Sequence, residues 1–363
     1  MTRGRSGQRR GRSTRHAPRL AVLLMLLTAC GPSGQAGSTP SPSVQVSAQT
    51  PSTSPSRSPV TTSGQATATP STSTFSVLLE SVPSGTLIAV RGDRIFVAQV
   101  MVGVRAIDTR AQLASLATTG GTLTVVGGTS VAGTIGGLLG DNSLYVSVGS
   151  DASEKDNYVY RLDATDSRLV LAGGGAPAGS NGDGGPAVNA RLQGPTGLAM
   201  NSGGALFIAE HGANRIRRVD AGTISTFAGN GSCAAAPLAS QVPAAQAAIC
   251  GPQLLALDRD GNLYVAQVGG AAIVRVDTAG RLSTVATASA ISALRAGRRG
   301  EVLFADTAAG GRLVALEPTG TQTVMATGLG GIRDIAIASD TSIYILHNPD
   351  LASPRIQLSR LAP

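Results

Sequence analysis

Short apolar stretches alternate with polar turns from about residue 74 to the end of the chain, and they follow one repeated pattern. Each copy holds an apolar or β-branched residue, an aromatic residue and two further small or apolar residues, which is typical of a buried β-strand. The six copies are Ile95–Ala98, Leu144–Ser147, Leu206–Ala209, Leu263–Ala266, Leu303–Asp306 and Ile343–Leu346. The last two intervals between the aromatic residues are 40 residues each, and loop insertions explain the longer intervals, so the recurrence indicates one structural unit that is repeated six times.

A second alternating pattern follows each of these strands and closes on a carboxylate in five copies. Ile216–Asp220, Ile273–Asp277 and Leu313–Glu317 are clear examples, and Val104–Asp108 is the segment predicted in the first copy. A strand before the aromatic position and another after the carboxylate complete the unit, as in Thr196–Asn201 and Arg281–Ala286. Four strands in a unit of about 40 residues predict one blade of a β-propeller.

The two ends of the repeated region complement each other. The sixth copy stops after its third strand, whereas Ser73–Val77 resembles the fourth strand found in other copies. Pairing this N-terminal segment into the last blade would leave fewer exposed sheet edges. We therefore predict an all-β fold over residues 74–363, a six-bladed β-propeller closed by an N-terminal strand.

The region before the repeats has a different composition. Residues 31–73 are rich in Ser, Thr, Pro, Gly and Gln, and Arg57 is their one charged residue. A segment with so little to bury cannot offset the entropy lost on ordering. We predict a disordered stalk over residues 30–73, either unmodified or glycosylated.

The net charge of +8 is concentrated in the first 29 residues. They carry seven arginines and no acid, which leaves 22 basic against 21 acidic residues in the remainder of the chain. The propeller is therefore nearly neutral, and its few aromatic residues are assigned to strands. Both observations argue against a nucleic-acid partner.

The arginines precede the apolar run Leu20–Leu27, the arrangement of an export signal. Leu27-Thr28-Ala29-Cys30 resembles the bacterial lipobox, which implies a signal peptide over residues 1–29 and lipidation of Cys30, including palmitate. The alternative is an ordinary signal peptide with a chance cysteine. The expected location is the outer face of the cytoplasmic membrane, in the cell envelope, with the lipid as the membrane contact.

One copy of the repeat closely resembles the NHL repeat. The resemblance lies in Gly182–Ala187, Gly194–Ala199, Ala205–Glu210 and Asn214–Asp220; copies four and five match it moderately, and the others match only in strand pattern. NHL repeats form six-bladed propellers in extracellular sensor domains, in RNA-binding regulators and in a few lyases. The resemblance to the sensor domains of bacterial receptor kinases implies a recognition role, but fold alone does not choose among these functions.

The longer insertions all lie at one end of the predicted blades, where loops held by a rigid scaffold commonly bind ligands. One insertion is bracketed by Cys233 and Cys250, which in an exported chain favours a disulfide over two free thiols. Drift in loop length is the competing explanation for the insertions.

Seven residues near this end are candidates for ligand binding: Glu210, His211, Asn214, Arg215, Gln253, Arg333 and Asp334. His211 and His347 are the two histidines of the propeller, too few for a three-histidine zinc site within one chain. A Ca²⁺ or other divalent ion held by Glu210, Asn214, Asp183, Asp334 and Gln253 remains an alternative. We assign no catalytic residue and no resident cofactor.

The favoured function is that of a lipid-anchored, monomeric, non-enzymatic module that binds or senses a peptide, protein or envelope glycan. The alternative is a lyase or a lactonase-like hydrolase with a divalent ion at the propeller pore.

Overall fold

A computed structural model describes residues 75–82, 85–102, 109–117, 120–125, 131–132, 134–140, 143–149, 157–165, 167–175, 181–234, 241–267, 272–288, 290–350, 352 and 355–362. Within these ranges it does not describe the side chains of residues 85–86, 99–133 and 309. The predicted signal peptide, Cys30 and the stalk lie outside the described residues. No helix in the described ranges is long and apolar enough to cross a membrane.

The described strands pair antiparallel in six sheets, numbered here along the chain. In each sheet the first strand is innermost, and the chain then moves outwards strand by strand. Sheet 1 contains β2 (Gly85–Arg91), β3 (Arg94–Val102), β4 (Thr109–Ala117) and β5 (Gly120–Val125), with β6 (Val131–Ala132) paired to β4. Sheet 2 contains β7 (Thr134–Gly140), β8 (Leu144–Gly149), β9 (Tyr158–Leu162) and β10 (Arg168–Gly173). Sheet 3 contains β11 (Pro195–Met200), β12 (Leu206–Glu210), β13 (Arg215–Asp220) and β14 (Thr223–Ala228).

The remaining sheets follow the same plan with small additions. Sheet 4 contains β16 (Pro252–Leu257), β17 (Leu263–Gln267), β18 (Ala272–Val276) and β19 (Arg281–Thr287), with β15 (Val242–Pro243) on its outer edge. Sheet 5 contains β20 (Ile291–Ala296), β21 (Val302–Asp306), β22 (Arg312–Leu316) and β23 (Gln322–Thr327). Sheet 6 contains β24 (Gly331–Ile337), β25 (Ile343–Asn348) and β26 (Gln357–Leu361), and its outer strand is β1 (Phe75–Leu79) from the start of the described chain.

The repeated aromatic segments form the second strand of each sheet, as predicted. β12, β17 and β21 are buried at every position, because both faces of a sheet are covered by its neighbours. This explains why these strands are almost continuously apolar. The assignment of Val104–Asp108 to the third strand of the first unit is wrong: β4 begins at Thr109 and pairs with a long β3, and residues 103–108 lie outside the described ranges.

The apolar core lies between sheets. Six clusters of buried side chains each join two consecutive sheets, and one of them joins sheet 6 to sheet 1 through Ile88, Val97, Tyr344 and Leu358. Burial of one such large side chain contributes roughly 1.5 to 3 kcal/mol. Sheets that stack face to face in this way form a β-propeller.

The turns at the two ends of the sheets differ. Connections at the carboxyl ends of the innermost strands are tight, as at Asp258–Asn262. The longer connections lie at the amino ends, where three-residue 3₁₀ turns such as Ala187–Asn189 and Ala244–Gln246 are found. The predicted disulfide between Cys233 and Cys250 is present in the longest of these connections in the described chain.

Candidate functional site

The innermost strand of every sheet carries a β-bulge at the same level. Its pairing with the second strand skips one residue near the amino end, for example at Gln253 in β16, Ser292 in β20 and Arg333 in β24. The equivalent interruptions in β2, β7 and β11 include Thr86, Gly136 and Thr196. A bulge changes the direction of a side chain relative to the regular strand, so this end of the sheets presents residues that the strand pattern alone would not expose.

The bulges surround a cavity of about 530 Å³, which we call the amino-end cavity. Its described lining comes from five of the six innermost strands, the loop after β21 and the end of β25. The lining residues are Leu87, Gly136, Gln253, Leu254, Ile291, Ser292, Thr307, Gly331, Ile332, Arg333 and Asn348. The volume lies within the range of ordinary small-ligand pockets.

The polar side chains of this cavity have spare hydrogen-bonding capacity. Gln253 and Arg333 are exposed, and no side-chain partner is found for either among the described residues. Ser292 Oγ is buried and likewise has no hydrogen-bond partner in the part of the chain that the structure describes. Buried hydroxyl groups are normally paired, so Ser292 is prepared to bond to a guest molecule or water.

Two of the seven predicted ligand-binding residues, Gln253 and Arg333, therefore line the cavity. The structure adds Ser292, Thr307 and Asn348, which the sequence analysis missed. A positional signal for Ser292 was available: Gln253 precedes Tyr264 by 11 positions, Arg333 precedes Tyr344 by 11, and Ser292 precedes Phe304 by 12.

Glu210 is buried at the end of β12 and serves the scaffold. Its Oε1 accepts a hydrogen bond from the Gln193 amide at 2.9 Å, and its Oε2 accepts one from Arg217 Nη1 at 3.1 Å. Arg217 is fully buried and also binds Asp183 and the Asn181 carbonyl oxygen. Burial raises the pKa of Glu210, and the Arg217 guanidinium opposes this effect.

In the next three sheets, the residue at the same position at the end of the second strand also forms a hydrogen bond to the backbone of the connection that leads into the sheet. Gln267 Oε1 accepts a hydrogen bond from the Cys250 amide at 2.6 Å. Asp306 Oδ1 accepts one from the Ala290 amide at 3.4 Å. A polar residue at the end of the strand is thus a structural feature of the repeat, and Glu210 is one instance of it.

In sheet 6 this position is occupied by His347, which is buried. Its Nδ1 lies 2.9 Å from the Leu329 carbonyl oxygen and must donate, while Nε2 lies 2.8 Å from Ser359 Oγ. Burial lowers the pKa of His347, and the hydrogen bond to Leu329 opposes this shift. The ring is therefore neutral, and its Nε2 accepts a hydrogen bond from the Ser359 hydroxyl group.

Asp334 directly follows Arg333, and it is fully buried. It accepts hydrogen bonds from Arg295 Nη2 at 2.6 Å and from the Ile88 amide at 3.0 Å. Complete burial raises the pKa of Asp334, and Arg295 opposes that effect. Asp334 therefore connects three innermost strands, β20, β24 and β2.

The other candidates lie in the connection between β12 and β13 and at the first position of β13. Asn214 accepts a hydrogen bond from the Gly251 amide at 2.8 Å and donates one to the Gly231 carbonyl oxygen at 3.3 Å. The Arg215 guanidinium lies against Gly231, since a Cβ there would be 3.0 Å from Nη2. His211 is exposed on a 3₁₀ turn.

The donor set of the amino-end cavity does not suit a divalent ion. Its described lining residues contribute amides, hydroxyl groups and one guanidinium, and none of them is a carboxylate or an imidazole. Within the described ranges, no three His, Cys, Asp or Glu side chains come together as a metal site. Of the five residues considered for Ca²⁺, Gln253 alone lines this cavity.

A second cavity, of about 450 Å³, lies at the carboxyl ends of the innermost strands. Arg259, Arg295 and Arg298 line it, but Arg295 binds Asp334, and Arg298 Nε donates to the Ala338 carbonyl oxygen at 2.8 Å. Asp258 also lines it, and its carboxylate accepts hydrogen bonds from Asn262. Charges of both signs meet here, and the arginines are largely engaged with the protein.

No protein-family model matches the chain, and no curated protein matches it in sequence. Solved structures do resemble it. A structural-genomics protein of unknown function from Bacteroides thetaiotaomicron is 11% identical, with a TM-score of 0.54 over 79% of this chain and 75% of that one. A gluconolactonase from Xanthomonas campestris is 14% identical, with a TM-score of 0.53 over 80% and 89%.

A streptogramin B lyase is 14% identical over 79% of this chain and 97% of that one, with a TM-score of 0.47. At such identities, likeness conveys architecture and not activity. Together with the six stacked antiparallel sheets, the first two structures identify the fold of this chain as a β-propeller.

Proposed function

We propose that the propeller is a non-enzymatic binding or sensing module whose ligand, a peptide, protein or envelope glycan, enters the amino-end cavity. One observation carries this proposal: bulges at a common level direct residues from several innermost strands into one cavity, and three of these residues have side chains with no hydrogen-bond partner among the described residues. Three such residues, Gln253, Ser292 and Arg333, come from consecutive sheets. Convergent polar groups in a partly apolar cavity are characteristic of a ligand site.

The proposal includes a closed ring of six blades as the scaffold. The apolar cluster between sheet 6 and sheet 1, and the pairing of β1 with β26, support closure. A closed ring holds the bulge residues in fixed relative positions, which reduces the entropy lost when a ligand binds.

We also propose that the chain is exported and anchored through Cys30, as the lipobox resemblance implies. β1 begins at Phe75, which pairs with Leu361 at the carboxyl-end side of sheet 6. Residues 30–73 would then be the tether between the lipid and the propeller.

A metal-dependent lyase or lactonase is the competing function. The gluconolactonase neighbour shares the fold at 14% identity, which does not transfer its activity. None of the described residues that line the amino-end cavity is acidic or a histidine, so they give this alternative no direct support.

A thermal-shift screen tests the proposal. The full chain and Gln253→Trp, which places an indole in the cavity mouth, are screened with short peptides, N-acetylglucosamine oligosaccharides and gluconolactone. A compound at about 100 times its Kd stabilises the folded state by roughly 2.7 kcal/mol. We expect at least one compound to raise the melting temperature of the wild type and not that of Gln253→Trp.

Arg299→Gln is the matched control, since Arg299 is exposed in the turn after β20 at the other end of the sheet. It should respond as the wild type does. Turnover of gluconolactone that depends on a divalent ion would replace the binding proposal with the enzymatic one.

A further inference from the structure

The charge of the amino-end cavity is unbalanced. Arg333 contributes a guanidinium to its lining, is exposed, and forms no ion pair with any residue that the structure describes. Among the described residues, no carboxylate lines the cavity. A guanidinium presents a planar set of donors that matches a carboxylate or a phosphate.

Three acidic residues of the described chain near this end of the sheets are already paired with other arginines. Glu210 binds Arg217 at 3.1 Å, and Asp306 binds Arg312 at 2.5 Å. Asp334 follows Arg333 in sequence but binds Arg295 at 2.6 Å. Each of these carboxylates is buried, so Arg333 retains its charge for a group from outside the chain.

Neutral polar groups lie beside this cation. Ser292 belongs to β20, next to β24, and its buried Oγ has no partner within the described residues. Gln253 in β16 adds an exposed amide on the next sheet. These groups supply one cation and two neutral hydrogen-bonding sites from the innermost strands of three consecutive sheets.

The rest of the lining combines apolar side chains with the polar Thr307 and Asn348. Leu87, Leu254 and Ile291 are half-buried around the same cavity. Apolar surface of this kind favours binding of a ligand with an aliphatic group, because burial removes that group from water. A strongly hydrated anion such as phosphate, or a sugar acid, would leave this surface without a partner.

We propose that the amino-end cavity recognises a carboxylate that carries an adjacent apolar group, as the carboxyl-terminal residue of a peptide does. Arg333 binds the carboxylate, Ser292 and Gln253 bond to the neighbouring polar atoms, and the leucine and isoleucine side chains contact the aliphatic group. This inference rests on the proposed binding function and specifies its ligand class.

Isothermal titration of the full chain with four probes tests the inference. The probes are N-acetyl-L-leucine, N-acetyl-L-leucinamide, D-glucuronate and inorganic phosphate. We expect N-acetyl-L-leucine to bind at least tenfold more tightly than each of the others. Equal affinity for the amide would overturn the role of the carboxylate, and tighter binding of glucuronate or phosphate would overturn the apolar contact.

Variants locate the binding. Arg333→Gln should bind N-acetyl-L-leucine at least tenfold more weakly, and Arg333→Lys should show a smaller loss, because lysine keeps the charge without the bidentate geometry. Ser292→Ala should bind a few-fold more weakly, and Arg299→Gln should bind as the wild type does. Unchanged affinity in Arg333→Gln would overturn the inference.

The proposed function and this inference can fail separately. Binding of an uncharged probe that is lost in Gln253→Trp but unchanged in Arg333→Gln would keep the cavity as a binding site and overturn its carboxylate specificity. Binding of N-acetyl-L-leucine that survives Gln253→Trp would contradict both.

Discussion

The buried ion cluster around Arg217 allows a direct test of whether Glu210 is a scaffold residue. Arg217 has no exposed surface, and Glu210 is 1% exposed. Replacing Glu210 with alanine removes the acceptors for Arg217 Nη1 and for the Gln193 amide, while Asp183 still faces Nη2. The guanidinium would then be buried with part of its counter-charge missing.

The expected loss of folding free energy is large. Removing one partner of a buried ion pair costs about 3 to 5 kcal/mol, and the remaining Asp183 favours the lower end of this range. An unfolding slope of about 3 kcal/mol per molar of urea converts 3 kcal/mol into a midpoint lower by about 1 M.

Urea unfolding followed by circular dichroism is a suitable assay, since the chain has no tryptophan. Arg218→Gln is the control on the same strand, because the Arg218–Asp220 pair is exposed, with 40% and 53% of its side-chain surfaces accessible. Such pairs contribute roughly 0 to 1 kcal/mol. A Glu210→Ala midpoint within about 0.2 M of the wild type, together with lost ligand binding, would refute the scaffold role.

Three further predictions concern other parts of the scaffold. The double variant Cys233→Ser/Cys250→Ser should lose about 3 kcal/mol of unfolding free energy, because the disulfide of the wild type joins residues that are 17 positions apart. A melting temperature within about 1 °C of the wild type would contradict this. Asn214→Ala should lower the free energy of unfolding in urea by about 2 to 3 kcal/mol, because it removes two side-chain hydrogen bonds and places alanine at a φ of 53°. Asn214→Gly should lower it less, since glycine adopts this φ without strain. Equal losses would argue against the backbone contribution. Because the pKa of His347 is lowered in the folded state, the unfolded chain binds a proton more readily, so the contribution of His347 to folding stability is complete above pH 6.5 and declines as the pH falls below that value. The unfolding midpoint of His347→Gln should therefore fall less than that of the wild type between about pH 7.5 and pH 5. Parallel declines would show that His347 has no part in the pH dependence of stability.

Much of the fold could be predicted because each unit repeats the same buried second strand. The aromatic positions marked those strands, and the carboxylates marked most third strands. The first unit was harder: β3 continues to Val102, so its third strand begins later than the repeat spacing suggested.

The site was less predictable because polar residues in this repeat serve two purposes. Glu210 and Asn214 satisfy backbone groups of incoming loops, and sequence alone does not separate that role from ligand binding. Ser292 was missed because a lone serine in a strand is an ordinary residue. Its importance follows from the bulge that aligns it with Gln253 and Arg333, and a bulge depends on pairing between strands.

The central claim is that the amino-end cavity binds its ligand without a divalent ion. Titration of N-acetyl-L-leucine into the full chain and into Gln253→Trp, each in EDTA and in excess Ca²⁺, tests it most directly. We expect equal binding to the wild type in both solutions and none to Gln253→Trp. Binding or turnover that requires Ca²⁺, or that persists in Gln253→Trp, would contradict it.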